Sequence, residues 1–217
     1  MENSVIKVNQ SYQELSYFKQ ALVHKSVSQT KNNERLEFLG DAVIEIIISE
    51  YLFNSFSEMD EGRLTQVRAS LVNTKTLSEI FLQFDCSNDL KLSKGTTKLD
   101  ETHKHSIYAG TLEACVGAVF ISLGWNESKA FILAIFKSRL ELINPSDDFK
   151  DAKSRLQEKL QALNIDLPKY KVTSNKEGNQ FECNVEFQQK FYTASSSIKK
   201  DSEQQVAELI LENIGKA

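Results

Sequence analysis

The 217-residue chain is 41% hydrophobic and 26% charged, which suits buried cores and excludes a disordered protein over most of its length. Its formal net charge of −4 excludes a globally basic nucleic-acid binder. Residues 144–217 hold 11 Lys+Arg against 12 Asp+Glu, and residues 1–143 hold 15 against 18, so any contact with a polyanion must come from local patches.

The chain opens Met1-Glu2-Asn3-Ser4, without the basic, apolar and small-residue progression of a secretory signal. Apolar stretches such as Ala42 to Ile48 are broken by charge and are expected to be too short to span a bilayer. These features predict a soluble, cytoplasmic protein with no membrane partner. Cys86, Cys115 and Cys183 are odd in number and far apart, so they imply no disulfide framework. His103 and His105 precede Cys115, but the spacing matches no common zinc site, and buried cysteines with loop histidines are the simpler expectation.

Up to about Ile143 the pattern is helical nearly throughout, with no proline and with apolar residues three and four apart. Breaks are expected at Lys31-Asn32-Asn33, around Asp60-Glu61-Gly62, and over the polar stretch Ser93 to Ser106. The first proline, Pro145, falls in Asn144-Pro145-Ser146-Asp147-Asp148, which reads as a linker. An amphipathic helix is predicted from Ala152 to Leu163, and strands over Lys169–Ser174, Gln180–Phe187 and Lys190–Ser196. Phe181, Cys183, Val185 and Phe187 alternate onto one face of the second strand. Lys176-Glu177-Gly178-Asn179 is the expected turn between the first two strands. A last helix should run from about Asp201 to Ile214. The pattern therefore predicts a mainly α domain over residues 1–143, a linker over 144–150, and a small α+β module (α-β-β-β-α) over 151–217.

The chemistry concentrates in Asn33-Glu34-Arg35-Leu36-Glu37-Phe38-Leu39-Gly40-Asp41-Ala42-Val43-Ile44-Glu45. At 100° per residue Glu34, Glu37 and Asp41 fall within about 60° of one another, and Glu45 continues the stripe. Apolar residues fill the remaining circumference, so this helix is expected to be largely buried. Two like charges at about 4 Å repel by roughly 4 kcal/mol at an effective dielectric near 20. Something positive must offset them: either basic side chains such as Arg35 and Arg68 in a structural ion-pair network, or hard divalent cations that prefer oxygen ligands. Spacing alone weighs the two equally. Further along, Glu113 is the one acid in the apolar run Ile107 to Phe120. Glu61, opening a helix, has a plain role in complementing the helix dipole.

The string Asn33 to Val43 resembles the signature of the ribonuclease III family over eleven consecutive positions. Ala21-Leu22-Val23-His24-Lys25-Ser26, Asp60-Glu61-Gly62 with Arg68-Ala69-Ser70-Leu71-Val72, and Thr111-Leu112-Glu113-Ala114 with Gly117-Ala118-Val119-Phe120 resemble further stretches of that family. The C-terminal module is similar to a double-stranded-RNA-binding domain, through Arg155-Leu156-Gln157-Glu158 and Lys199-Lys200 with Glu203-Gln204. The resemblance implies a helical ribonuclease III-like endonuclease domain followed by an RNA-binding domain. It also implies Mg²⁺-dependent hydrolysis of double-stranded RNA, with Mn²⁺ as a substitute, in the processing of ribosomal RNA precursors and some messenger RNAs.

By the same resemblance Glu37, Asp41 and Glu113 hold the metal at the scissile phosphate, Asp41 and Glu113 being catalytic. Glu34 and Glu61 are auxiliary acids, and Phe38 is a knob that enters the partner subunit of a homodimer. Gln157, Glu158, Lys199 and Lys200 contact RNA. Lys199 and Lys200 sit at a helix start, where positive charge and free amides coincide, which favours contact with phosphates over an ordinary solvated pair. Two departures stand out. The expected turn between the first two strands has no His, and the family pattern Ala-Asp-Thr-x-Glu reads here Ala109-Gly110-Thr111-Leu112-Glu113. Gly110 removes an expected carboxylate ligand, whose place a water is expected to take. The alternative is an inactive homologue that acts as a dimeric double-stranded-RNA-binding protein.

Overall fold

Asx caps set the starts of several helices in the first half of the chain. Asp60 accepts from the Arg63 amide at 2.8 Å, Asn73 from Thr76 at 2.9 Å and Asp100 from His103 at 3.0 Å. The computed structural model describes residues 5–145, 151–175 and 177–214, without the side chains of residues 101 and 102. The expected linker positions 146–150 and the turn residue Lys176 lie outside the described residues.

By contacts the chain divides into two units, Met1–Asp147 and Asp148–Ala217. The first holds α1 (Gln10–Gln13), α2 (Ser16–Ala21), α3 (Glu34–Ser55), α4 (Glu61–Leu71), α5 (Thr74–Leu82), α6 (Glu101–Leu123) and α7 (Trp125–Leu140). Helix α6 is the centre of this unit, packed by α2, α3, α5 and α7. It begins six residues earlier than the polar stretch to Ser106 suggested, because Asp100 supplies a cap that overrides the weak helix propensity of the residues after it. Gly124, at φ +81°, ends α6 and lets α7 start at once.

The segment His103–Leu123 is long and apolar enough to cross a membrane by length and composition, contrary to the sequence expectation that no such stretch exists. Here those apolar residues, Leu112, Cys115, Val116 and Val119 among them, are buried against the surrounding helices.

The second unit holds α8 (Ala152–Ala162), β1 (Lys171–Ser174), β2 (Phe181–Phe187), β3 (Lys190–Ser196) and α9 (Lys199–Ile214). The strands form one antiparallel sheet in the order β1-β2-β3. Phe187 pairs with Lys190, so Gln188 and Gln189 alone make the hairpin loop, with φ of 50° and 63°. Positive φ at both positions is the turn whose twist matches that of the flanking strands. Cys183, Val185 and Phe187 pack onto Leu156 and Leu160 of α8 and Val206 and Ile210 of α9. Helix α9 starts at Lys199, two residues before the predicted position, which puts both lysines in its first turn.

Candidate active site

Helices α3 and α6 cross with their backbones in contact, and two glycines permit it. A Cβ on Gly40 would lie 1.7 Å from the Glu113 carbonyl oxygen, and one on Gly117 would lie 2.2 Å from that of Leu36. No side chain fits at either place, so the crossing requires glycine at both. It brings Glu37 and Asp41 of α3 to Glu113 of α6. These three carboxylates, with Glu34, His24 and Lys25, line one cavity of about 560 Å³.

Burial pushes the Glu113 carboxyl up to about 8, with Asp41 and then Glu37 adding to the rise. Glu37 is also raised, first by burial, and partly relieved by Lys25. Lys25 donates from Nζ to Glu34 Oε1 at 3.0 Å, and that hydrogen bond lifts the ammonium above its ordinary value. His24 is held low by burial and by the charge of Lys25.

The carboxylate helix is less buried than its composition predicted. Leu36, Val43, Ile44, Ile47, Ile48 and Leu52 face the core, whereas Phe38 is 82% exposed, Phe53 71% and Ile46 55%. Apolar residues lie all round α3, but α6 covers only one side of it. Of the two arginines considered as partners for the acids, Arg68 reaches Glu45, with Nε 3.9 Å from Oε2. The cation beside the cluster itself is Lys25. Glu61 starts α4 and accepts from Thr65 at 3.3 Å, in a separate groove with Ile46, Phe53 and Arg68. The structure therefore does not bring Glu61 to the three carboxylates within one chain.

The remaining sequence-predicted positions fall as follows. Gln157 and Glu158 are exposed on α8, and Lys199 and Lys200 are exposed on α9. His103 pairs with Asp100 at 2.8 Å and His105 with Ser78 at 2.5 Å, while all three cysteines are buried thiols. Gly110 lies one turn before Glu113. The Glu37 carboxylate lies over its Cα: a Cβ there would lie 2.7 Å from Glu37 Cδ.

The residues present fit a hard divalent cation by their chemistry. Glu37, Asp41 and Glu113 are oxygen donors on one cavity, and among the described residues none has a hydrogen-bonded or ion-paired protein partner. As they stand, no three His, Cys, Asp or Glu of the described residues converge closely enough for a coordination shell, so side chains must rotate to close around an ion.

A Ribonuclease-III-like family model matches residues 14–140, and a double-stranded RNA binding motif matches residues 152–214. The chain belongs to the ribonuclease III family. It is 39% identical over 211 residues to Ribonuclease 3 of Alcanivorax borkumensis, covering 95% of this chain and 92% of the relative. Ribonuclease 3 of Buchnera aphidicola is 37% identical over 202 residues, covering 91% and 89%. The crystal structure of the nuclease domain of ribonuclease III from Campylobacter jejuni superposes with a TM-score of 0.56 at 34% identity. That match covers 62% of this chain and 95% of the other. Within this ribonuclease III frame, Gly40 and Gly117, which permit the crossing, and Lys25, which lines the cavity, are positions that sequence reasoning did not single out. An isolated glycine amid strong helix formers was the available signal for the first two.

Proposed function

We propose that this member of the ribonuclease III family is an endoribonuclease that hydrolyses phosphodiester bonds of double-stranded RNA at the α3–α6 cavity. The observation that carries it is the set of three carboxylates, from two crossing helices, that line one cavity without hydrogen-bonded or ion-paired protein partners among the described residues. In this reading residues 1–143 are the nuclease domain, 144–150 a linker and 151–217 the RNA-binding domain. Its work is the processing of ribosomal RNA precursors and some messenger RNAs in the cytoplasm.

Glu37, Asp41 and Glu113 would hold Mg²⁺, or Mn²⁺ in its place, and the bound ion would supply the Lewis-acid chemistry that activates water and offsets charge on the phosphate. The chain's own residues prepare that chemistry. Asp41 and Glu113 line the same cavity from the two crossing helices, and burial raises the Glu113 carboxyl to about 8. Lys25 and Glu34 form an exposed ion pair at the cavity mouth, where Glu34 serves as the auxiliary acid. Glu61, in its separate groove, complements the α4 dipole within its own chain. Gln157 and Glu158 on α8 and Lys199 and Lys200 on α9 contact the duplex across its grooves. Exposed Phe38, with Ile46 and Phe53 on the same helix, supports a symmetric homodimer.

The test is a long RNA duplex incubated over a series of Mg²⁺ concentrations, with Glu113→Gln beside the unaltered protein. Cutting by the unaltered protein, and none by Glu113→Gln although it still binds duplex, is the expected result. A second reading rests on Gly110: a dimer that binds duplex RNA without cutting. Binding without cleavage at every Mg²⁺ concentration would establish that reading and refute the first.

A further inference from the structure

The Glu37 carboxylate lies flat over the bare Cα of Gly110. A Cβ at that position would be 2.7 Å from Glu37 Cδ and 2.8 and 2.9 Å from its two oxygens. All three distances are below any ordinary nonbonded approach. Gly110 lacks positive φ and sits inside α6, where glycine costs about 1 kcal/mol against alanine, so backbone conformation does not explain it. The two glycines that do serve backbone contact, Gly40 and Gly117, face carbonyl groups. Gly110 instead meets a side chain at clashing distance, and that side chain is an acid with no hydrogen-bonded or ion-paired protein partner among the described residues.

We infer that Gly110 is a seat for Glu37: the missing side chain opens a place on α6, one turn before Glu113, that the α3 carboxylate fills. One long acid from α3 then supplies an oxygen from the volume that a side chain of residue 110 would occupy. Gly110 is accordingly a positioning residue that acts through Glu37. This deepens the proposed function, on which it rests for the cation. It also makes positions 37 and 110 a single unit, in which the length of residue 37 and the absence of a side chain at residue 110 depend on each other.

A binding cycle on the full-length protein tests this, with Mn²⁺ titrated calorimetrically and no RNA present. Gly110→Ala puts a methyl group where the carboxylate lies, and is expected to weaken Mn²⁺ binding on the order of tenfold. Glu37→Gln should weaken it comparably. The double variant should be no weaker than Glu37→Gln alone, because the methyl group then displaces nothing that binds. Additive losses, or no loss from Gly110→Ala, would overturn the inference. Glu37→Asp provides a readout without touching α6. It keeps the charge but withdraws the carboxylate from Gly110 by one methylene, so it should lose affinity nearly as Gln does. Full affinity in Glu37→Asp would also overturn it. Failure to cut RNA with this coupling intact refutes the nuclease reading alone, whereas cutting with additive losses refutes the seat alone.

Discussion

Replacing Glu113 by Gln should reduce the pH dependence of folding of the cation-free nuclease domain. Glu113 is raised from the ordinary 4.5 to about 8 by burial and by Asp41 and Glu37. A carboxyl raised on folding contributes stability that is fully present below about 4.5 and is lost as pH rises through about 8. The unfolded chain ionises over that window while the folded one keeps its proton. At about 1.36 kcal/mol per pH unit the upper bound is about 5 kcal/mol. Glu113 is only partly buried, and solvent screening reduces the expected effect to about 2 kcal/mol.

The assay is urea unfolding in EDTA followed by the fluorescence of Trp125, the only tryptophan, which lies in α7 and so reports the nuclease unit alone. Between about pH 4 and about pH 9 the unaltered protein should lose about 2 kcal/mol relative to Glu113→Gln. The variant, which never carries the buried charge, should be the more stable of the two at the alkaline end. Parallel pH profiles for the two proteins would show that Glu113 is not buried among like charges, and the electrostatic account of the cavity would fail.

Two further outcomes follow from exposure. Phe38 is 82% exposed, and burying a Phe is worth about 2 kcal/mol. A two-fold dimer uses it twice, so Phe38→Ala should weaken self-association by about 4 kcal/mol, on the order of a thousandfold in Kd. Sedimentation equilibrium would read this, and an undiminished dimer would remove Phe38 from the interface. Changing Lys199 and Lys200 together to Ala should weaken binding to every RNA duplex alike and reduce the salt slope by about 2. Unchanged affinity in a mobility-shift titration over several salt concentrations would take the α9 start out of the RNA contact.

What the sequence determined by itself is what depends on near neighbours along the chain. The α-β-β-β-α order of the second unit is written in alternation and caps. The acidic stripe of α3 follows from helical spacing over Glu34, Glu37 and Asp41. The eleven-residue string from Asn33 to Val43 was enough to point to the family. Which side of α3 meets water was not legible, because its apolar residues surround the helix. Only packing against α6 left Phe38, Ile46 and Phe53 outside. Nor could spacing show that Glu37 and Asp41 meet Glu113, some seventy residues away. That meeting depends on Gly40 and Gly117 giving up their side chains to let two backbones touch. The partner of Glu34, the separate groove that holds Glu61, and the carboxylate lying over Gly110 are likewise results of the tertiary structure. Each joins residues whose distance in space is set by how helices cross, which no local pattern encodes.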